Sequence, residues 1–220
     1  MEKILKNKKI LVTAGPTWVA IDKVRVITNI FSGKLGLIIA ETAQKMGANV
    51  VFMFGPGRIS VPENKKIKVL RFKYFDDLLN LVKENIKQGR FDAIIHSAAV
   101  SDYMPLPSKE KKIKSGKKNL AIKFKPTIKI VDLIRKIDSK AFLVKFKLEV
   151  GLSEKELIDV AYKSMLQSNA DLMVANDFEM AAVGESDHRA FIINPEKTIK
   201  EVTGKKNIAL NLLKIIASKI

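Results

Sequence analysis

The sequence predicts an α/β fold, with a mainly parallel sheet that carries helices on both faces. Three observations predict it. Short apolar runs alternate with longer segments whose apolar residues recur at helical spacing. After one long loop, the links between them stay short up to residue 96, which is the signature of parallel βαβ units. Finally, 47% of the 220 residues are hydrophobic, enough for a sizeable core in a single domain spanning 1–220.

The elements of the first half follow from apolar periodicity and from glycines that end helices. The strands are short apolar or alternating runs, and the helices repeat apolar residues at spacings of three and four. Gly47 and Gly89 stand where helices end. In chain order the predicted elements are strand 8–14, helix 33–47, strand 49–54, strand 66–72, helix 74–88 and strand 91–96.

The pattern changes after residue 103. Residues 104–126 contain three prolines and eight lysines against one acid, which predicts a flexible basic arm with a strand, 120–124, that leaves the main sheet. Ser153 and Glu156 have the spacing of a capping box. The remaining predicted elements are helix 127–137, strand 141–146, helix 153–167, strand 171–175, a hairpin of 190–193 with 198–202, and helix 205–220.

Composition narrows the class of protein. The chain has no cysteine, which excludes disulfides, thiolate metal sites and a cysteine nucleophile. No segment approaches the ~20 apolar residues of a membrane helix, and no signal peptide is evident. A soluble, cytoplasmic protein with no membrane partner is therefore expected.

The net charge of +17 admits nucleic acid or small anions as partners. Only six of the 40 basic residues are Arg, whereas proteins that recognise DNA sequence rely on Arg for contacts to base edges. Lysines spread over many segments are more typical of background composition or of a surface rich in Lys and Glu. No nucleic-acid partner is expected.

Polar residues follow four predicted strands, where ligands of open α/β sheets bind. The longest is the loop 13–36, far longer than the ~2–6 residues that a βα turn needs. The other three are 98–103, 147–149 and 176–177. Since the carboxyl ends of parallel strands share one edge of the sheet, these four stretches predict one site there.

Several residues of the first loop suit an anionic ligand, and each also has a plain structural explanation. Gly33 and Gly36 would leave backbone N–H groups free at a helix start, which favours phosphate, or they form an ordinary turn. Arg25 could hold a phosphate or carboxylate, or pair with Asp22. Asn29 could donate to a developing oxyanion, or cap the loop.

Later residues offer a metal ligand and a mobile cation. Asp102 follows Ala98 and Ala99, whose small side chains let a ligand approach the backbone; its carboxylate could bind Mg²⁺ beside phosphates, or cap a turn. Lys112 could neutralise charge near a triphosphate, or be a solvated surface charge. His96 ends an apolar strand and is interpreted as a core histidine.

Taken together, these motifs resemble the phosphopantothenoylcysteine synthetase family, the second activity of the bifunctional flavoprotein of coenzyme A synthesis. The resemblance covers about residues 8–218 and implies a three-layer, Rossmann-like fold. The motifs that carry it are TAGPT at 13–17, IDKVRVITN at 21–29, SGKLG at 32–36, HSAAVSDY at 96–103, KIK at 112–114 and DLMVAND at 171–177.

The resemblance implies a two-step ligase. The carboxylate of 4′-phosphopantothenate attacks the α-phosphate of a nucleoside triphosphate, giving an acyl-nucleotide and pyrophosphate. The amine of L-cysteine then displaces the nucleoside monophosphate. CTP is the first expectation for the nucleotide and ATP the second, with Mg²⁺ as cofactor. The family also implies a homodimer, with 104–126 crossing between subunits, and a separate decarboxylase protein in the same pathway.

Family roles transfer to matching positions. Asn29 matches the residue that stabilises the acyl-nucleotide, Arg25 one that positions substrate, and Lys112 a loop lysine needed for turnover. Asp102 matches the metal contact. The implied nucleotide-binding residues are Gly15, Ser32, Gly33, Ala98, Ala99, Asp102 and Phe146.

Departures from the family pattern leave the choice of nucleotide open. The segment 125–128 lacks the acid of the family's Asn-Pro-Asp-Ile motif. Ser164 and Ser168 stand where the bifunctional enzymes have paired lysines that contact the triphosphate, and Lys163 lies one position away.

Two alternatives remain. A Rossmann-type nucleotide-dependent oxidoreductase would share the fold, but the short-chain Tyr-x-x-x-Lys pair is absent, because Leu78, Pro107 and Leu166 stand four residues after the three tyrosines. A basic nucleic-acid-binding module would bind DNA in a salt-sensitive way and would not turn over a nucleoside triphosphate.

Overall fold

The computed structural model describes residues 2–57, 59–61, 66–106, 112–116, 118–177 and 188–220. Its strands are β1 Lys9–Ala14, β2 Trp18–Ala20, β3 Val26–Thr28, β4 Asn49–Phe54, β5 Ile67–Arg71, β6 Ala93–His96, β7 Tyr103–Pro105, β8 Phe124–Pro126, β9 Phe142–Glu149, β10 Leu172–Asp177, β11 Arg189–Ile193 and β12 Ile199–Thr203. Its helices are α1 Lys34–Lys45, α2 Phe75–Gln88, α3 Ile130–Ile137, α4 Glu154–Gln167 and α5 Lys205–Ala217.

The central sheet has eight strands in the order β12-β11-β10-β9-β6-β1-β4-β5. The six from β10 to β5 are parallel, and β11 and β12 continue the sheet antiparallel. Leu11 of β1 pairs with Val51 of β4 on one side and with Ile94 of β6 on the other. The predicted α/β fold with a mainly parallel sheet and a C-terminal antiparallel hairpin is therefore confirmed.

The helices form one layer on each face of this sheet. Ile10 and Val12 of β1 pack on the side of α1 and α5, while Leu11 between them packs on the side of α2, α3 and α4. This alternation follows from the two-residue period of a strand, and it gives the three layers that the sequence predicts.

Two short antiparallel ribbons lie outside the sheet. One, β2–β3, is folded within the loop 13–36 and was not predicted. The other pairs β7 with β8, so the strand expected at 120–124 lies at Phe124–Pro126 instead. Apolar alternation favours the earlier position. The backbone N–H of Thr127, however, donates to the backbone carbonyl of Asp102, and this bond fixes the register. Of the predicted arm 104–126, residues 107–111 and 117 lie outside the described part.

Within the described ranges, no helix is both long and apolar enough to cross a membrane.

Candidate active site

A cleft of about 690 Å³ opens at the carboxyl edge of the parallel strands. This volume is in the range of small-molecule sites. Each of the four polar stretches predicted after strands contributes to its lining, including Asn29, Ala98, Lys147 and Asn176. The convergence expected from the sequence is therefore observed in the fold.

The first turn of α1 forms part of the cleft wall and is held very close to β1. Gly33, at the N-cap, has φ 79°, and a Cβ added there would come within 2.9 Å of the Gly15 nitrogen. A Cβ on Gly36 would lie 2.3 Å from the Cβ of Ala14. No side chain caps this helix, and its first turn contains no acid. The positive end of the helix dipole therefore faces the cleft, and no charge of the helix itself offsets it.

Neutral hydrogen bonds join the loop after β1 to the stretch after β6. The Asn29 Nδ2 donates to the carbonyl of Ala99 at 3.0 Å. The backbone N–H of Ser101 donates to the Thr17 hydroxyl at 2.9 Å. The side-chain amide of Asn29 has two donor hydrogens. Its bond to Ala99 therefore fixes the orientation of the side chain while using only one of them.

His96 lies where these two stretches meet. It is 8% exposed, and its Nδ1 is 2.8 Å from the Thr13 hydroxyl oxygen. Burial, with the nearby Lys145 charge, lowers the pKa of His96 to about 4. The imidazole is therefore neutral near pH 7. The interpretation as a core histidine agrees with this burial, although the ring also borders the cleft.

Positive charge dominates the described lining of the cleft. Two acids line it, Asp102 and Asp132. Five lysines line it, and they come from four separate places in the chain, since two of them are on β9: Lys34, Lys129, Lys145, Lys147 and Lys205. A concave surface of one dominant charge concentrates ligands of the opposite sign. The arrangement therefore suits a polyanion.

Asp102, the expected metal ligand, is at the rim. Its carboxylate is 2.5 Å from the Lys129 Nζ, and its side chain is 62% exposed. Within the described ranges, no three His, Asp or Glu side chains are grouped so that they could hold a metal. Mg²⁺ is commonly bound by one or two carboxylates together with substrate phosphates. A single exposed carboxylate fits such a shared site and does not form a protein-only one.

Of the predicted nucleotide-binding residues, all line the cleft, namely Gly15, Ser32, Gly33, Ala98, Ala99, Asp102 and Phe146. Of the predicted catalytic residues, Asn29 lines it. Arg25 and Lys112 do not belong to the lining. The roles assigned to all of these residues stay predictions.

Arg25 instead takes part in a link between the first loop and the basic segment. Its Nη1 is 3.5 Å from the Asp22 carboxylate, and its Nη2 donates to the Ile113 carbonyl at 3.4 Å. The same carboxylate accepts from the backbone N–H of Ile113 at 3.0 Å, and this bond is the main reason why the pKa of Asp22 is lowered. Lys112 is exposed and is adjacent in sequence to Ile113, which is hydrogen-bonded to the first loop.

Lys145 is the most prominent residue that sequence reasoning missed. Its Nζ donates to the Ser164 hydroxyl at 2.9 Å, the Ser164 carbonyl at 3.0 Å and the Ser168 hydroxyl at 2.7 Å. Burial lowers the pKa of Lys145. One signal could have found it, because Lys145 interrupts the otherwise apolar run FLVKF.

Lys129, Lys205 and His188 were also not predicted as cleft residues. His188 directly precedes β11 and is 8% exposed, and burial together with the Lys205 charge lowers its pKa. Lys129 directly precedes α3 and Lys205 begins α5, so the three residues come from separate parts of the chain. Only the folded topology brings them to the cleft.

The chain matches the family described as "DNA/pantothenate metabolism flavoprotein C-terminal domain" over residues 5–220. Among curated relatives, it is 36% identical over 191 residues to the "Coenzyme A biosynthesis bifunctional protein CoaBC" of Thermococcus kodakarensis, a match covering 87% of this chain and 46% of that protein. The chain thus spans about half the length of the first curated relatives it matches.

Solved structures agree with this match. The "DNA/Pantothenate Metabolism Flavoprotein from Streptococcus pneumoniae" superposes with a TM-score of 0.88 at 32% identity, covering 97% of this chain and 100% of that one. The "C-terminal Domain of Coenzyme A biosynthesis bifunctional protein CoaBC" gives 0.78 at 28% identity, covering 99% and 98%. The family resemblance inferred from the motifs is confirmed, and the chain belongs to the DNA/pantothenate metabolism flavoprotein C-terminal domain family.

Proposed function

We propose that this protein is a phosphopantothenate–cysteine ligase of coenzyme A biosynthesis. The observation that carries the proposal is a lysine-rich cleft at the carboxyl edge of the sheet, in a chain related over most of its length to coenzyme A biosynthesis proteins. Neither the oxidoreductase nor the nucleic-acid alternative is favoured by that relationship.

The proposed reaction has two steps. A carboxylate oxygen of 4′-phosphopantothenate attacks the α-phosphorus of a nucleoside triphosphate, the bond from that phosphorus to the bridging oxygen breaks, and pyrophosphate leaves. The amine of L-cysteine then attacks the acyl carbon, the acyl C–O bond breaks, and the nucleoside monophosphate leaves while the amine loses a proton to water. The first step brings together three anionic groups, namely the carboxylate and the phosphate of 4′-phosphopantothenate and the triphosphate of the nucleotide. The lysines of the cleft would stabilise them.

In this proposal the first loop and α1 bind the acyl-phosphate region. Ser32, Gly33 and the start of α1 offer a hydroxyl and the positive end of a helix to phosphate oxygens. Asn29, oriented by its bond to Ala99, offers its remaining amide hydrogen to the acyl or phosphoryl oxygen. Preorganised donors of this kind need little rearrangement as charge develops.

Asp102 would hold Mg²⁺ jointly with the phosphates, and the ion would supply charge neutralisation there. The Lys129 ammonium, now bonded to Asp102, would then be released towards a phosphate oxygen. Lys112 would approach the triphosphate from the basic segment that Ile113 anchors to Asp22, and Arg25 would position substrate from the same place.

The proposal extends to assembly and partners. A homodimer is expected to use the two ribbons, which expose apolar side chains such as Ile27, Tyr103 and Phe124. CTP is the first choice of nucleotide and ATP the second. The protein would act in the cytoplasm, and its product would pass to a separate decarboxylase protein.

The test is release of pyrophosphate from CTP or ATP in the presence of 4′-phosphopantothenate and cysteine. We expect one nucleotide to support release, and mass spectrometry to detect 4′-phosphopantothenoylcysteine only when cysteine is added. Without cysteine, a stoichiometric amount of acyl-nucleotide should accumulate. No release with either nucleotide would exclude the proposed function.

A further inference from the structure

Two polar side chains of the cleft have no hydrogen-bond partner among the described residues. They are the Asn176 carboxamide, near the end of β10, and the His188 ring, just before β11. Each residue is only 8% exposed. Since no fully buried side-chain nitrogen or oxygen of the described part lacks a partner, their polar atoms reach the open space of the cleft. A polar group largely removed from water costs free energy until a ligand or a water molecule satisfies it.

Both side chains face the layer of α1 and α5. Val174 of β10 packs on that layer, and Asn176, two residues further along the strand, faces the same way. The register of β10 with β11, continued by one pair, places Asn176 opposite Ala190. His188 is two residues before Ala190, so it is a diagonal neighbour of Asn176 on the same face.

The amino-terminal end of α5 lies on this side of the cleft. β12 runs parallel to β10 and ends at the carboxyl edge of the sheet, and α5 begins there after Gly204. The Gly204 N–H donates to the His188 carbonyl at 2.8 Å, and Lys205, the first residue of the helix, lines the cleft. No side chain caps α5 and its first turn contains no acid, so the positive end of the helix dipole adds to the Lys205 charge.

The charge of these groups suits a small anion. Lys205 supplies one full positive charge, and the helix end supplies about half a charge. Burial, with the nearby Lys205 charge, lowers the pKa of His188, so its ring is neutral near pH 7 and offers an N–H. The two acids of the lining, Asp102 and Asp132, belong to the opposite side, near α3. A carboxylate matches this amount of positive charge, and it accepts from an amide, an imidazole and an ammonium.

A purely structural explanation would treat Asn176 and His188 as core residues. Polar residues of a core are normally held by hydrogen bonds, as Thr13 and His96 are on the other face of the sheet. Within the described part, Asn176 and His188 have no such bond, although both are close to a helix end and a lysine. This combination is expected where a ligand supplies the acceptors.

We propose that Asn176, His188 and Lys205 form a carboxylate-binding site at the start of α5, and that its ligand is the carboxylate of the amino-acid substrate. The identity of that amino acid, L-cysteine, rests on the proposed function, whereas the carboxylate chemistry rests on the three residues. α1 and α5 pack against each other and both begin at the carboxyl edge. A carboxylate held at α5 would leave the amine of the same molecule free to reach an acyl group at α1. The phosphate of 4′-phosphopantothenate is the other source of a small oxyanion, and the experiment separates the two.

Lys205→Gln removes the positive charge of the site. With L-cysteine as the nucleophile we expect the KM for cysteine to rise by about tenfold or more, as for loss of a charge-assisted contact. The KM values for 4′-phosphopantothenate and the nucleotide should stay within about twofold of the original. Cysteamine has the amine and the thiol of cysteine but no carboxylate, so its KM should not change in the variant. The matched control is Lys206→Gln, which removes an exposed lysine of α5 from outside the cleft and should change none of these constants.

The chain has two histidines, which allows a test of binding that needs no turnover. NMR of the imidazole protons follows both rings, and His96→Gln assigns them. L-cysteine alone should shift the His188 signals and raise the pKa of that ring, because a neighbouring carboxylate stabilises the imidazolium. Cysteamine should do neither. Should Lys205→Gln fail to fold, Asn176→Asp is the second variant. It keeps the shape of the side chain, places a negative charge in the site and should weaken cysteine binding about tenfold or more.

Four results would overturn the inference. Unmoved His188 signals together with an unchanged KM for cysteine in Lys205→Gln would remove the site. Equal losses for cysteine and cysteamine would show that the carboxylate is not the group recognised. An equal loss in Lys206→Gln would reduce the effect to general surface charge, and a rise in the KM for 4′-phosphopantothenate alone would assign the site to its phosphate. If no nucleotide supports turnover, the proposed function fails, and the NMR titration with L-cysteine then decides the inference by itself.

Discussion

The two walls of the cleft are built in opposite ways. The first wall, formed by Gly15, Asn29 and residues 31–36, uses close backbone approach and neutral hydrogen bonds. The second wall, formed by residues 145–148 with Ser164, Gln167 and Ser168, has half-buried lysines and serine hydroxyls. The first is suited to placing a reacting group with precision, and the second to attracting and holding charge.

Because of this difference, substitutions in the two walls should have different effects. A change in the first wall should lower the rate of chemistry or the stability of the fold, because its atoms are closely packed and orient the reacting group. A change in the second wall should act on the affinity for an anionic ligand, because this wall holds half-buried lysines. The following variants test this division.

The largest effect is expected for Asn29→Ala, in the first wall. Loss of a preorganised donor to a developing oxyanion lowers kcat by about 10²–10³, whereas the folded state loses one hydrogen bond of about 1 kcal/mol. Turnover should be measured as pyrophosphate release and stability by urea unfolding. Asn80→Ala, at an exposed position on α2, is the control. Unchanged kcat in Asn29→Ala would show that the first wall does not orient the chemistry.

A pH effect is expected at His96, where the walls meet. Its pKa is lowered from 6.5 to about 4 in the folded protein, so the unfolded chain binds the proton more tightly. The neutral imidazole therefore makes its full contribution to the free energy of unfolding above about pH 6.5. This contribution is lost as the pH falls towards about 4, and the total loss is roughly 3 kcal/mol.

The measurement is the free energy of unfolding of wild type and His96→Gln at several pH values. The glutamine variant should lose less stability between pH 7 and pH 4. His188→Gln is a necessary companion, since burial lowers the pKa of His188 too and it contributes in the same window. Parallel curves for wild type and His96→Gln would contradict the assignment of a neutral, buried His96.

A smaller effect on stability is expected for Gly36→Ala. The added Cβ would be 2.3 Å from Ala14 and 2.8 Å from the Ser97 hydroxyl, so α1 must move away from β1. Overpacking of this kind costs about 1–3 kcal/mol. Chemical unfolding should show that loss, and nucleotide affinity should fall as the helix start shifts. Lys45→Ala, at an exposed position of the same helix, should change stability by less than about 0.5 kcal/mol. An undiminished stability of Gly36→Ala would show that the first wall tolerates displacement.

Much of the fold was predictable because its signals are local. Each parallel strand is a short apolar run and each helix an amphipathic segment, so their order implied the layers. The ribbons were harder, since β7 and β8 have three residues each and are exposed in part. Their register depends on where the partner strand starts, and periodicity within Leu120–Phe124 cannot report that.

The same distinction explains the site. The residues of the first wall lie within the single loop 13–36 and the start of α1 that follows it, so Asn29 and Gly33 were found. Lys145 and its serines are about twenty residues apart and on different elements, and neither serine is unusual on a helix. Their meeting depends on how α4 crosses the sheet, which no local pattern encodes.

The link between Asp22 and Ile113 has a consequence for kinetics. The backbone of Ile113 is bound to a carboxylate of the first loop, 91 residues earlier in the chain. Lys112 is therefore tethered near that loop by a single residue, about 3.8 Å of backbone. A group on so short a tether meets its target at a high effective concentration, set by geometry and not by diffusion. Under the proposed function, the basic arm of residues 104–126 would not need to search for the first loop at each turnover, because Ile113 within it is already hydrogen-bonded there.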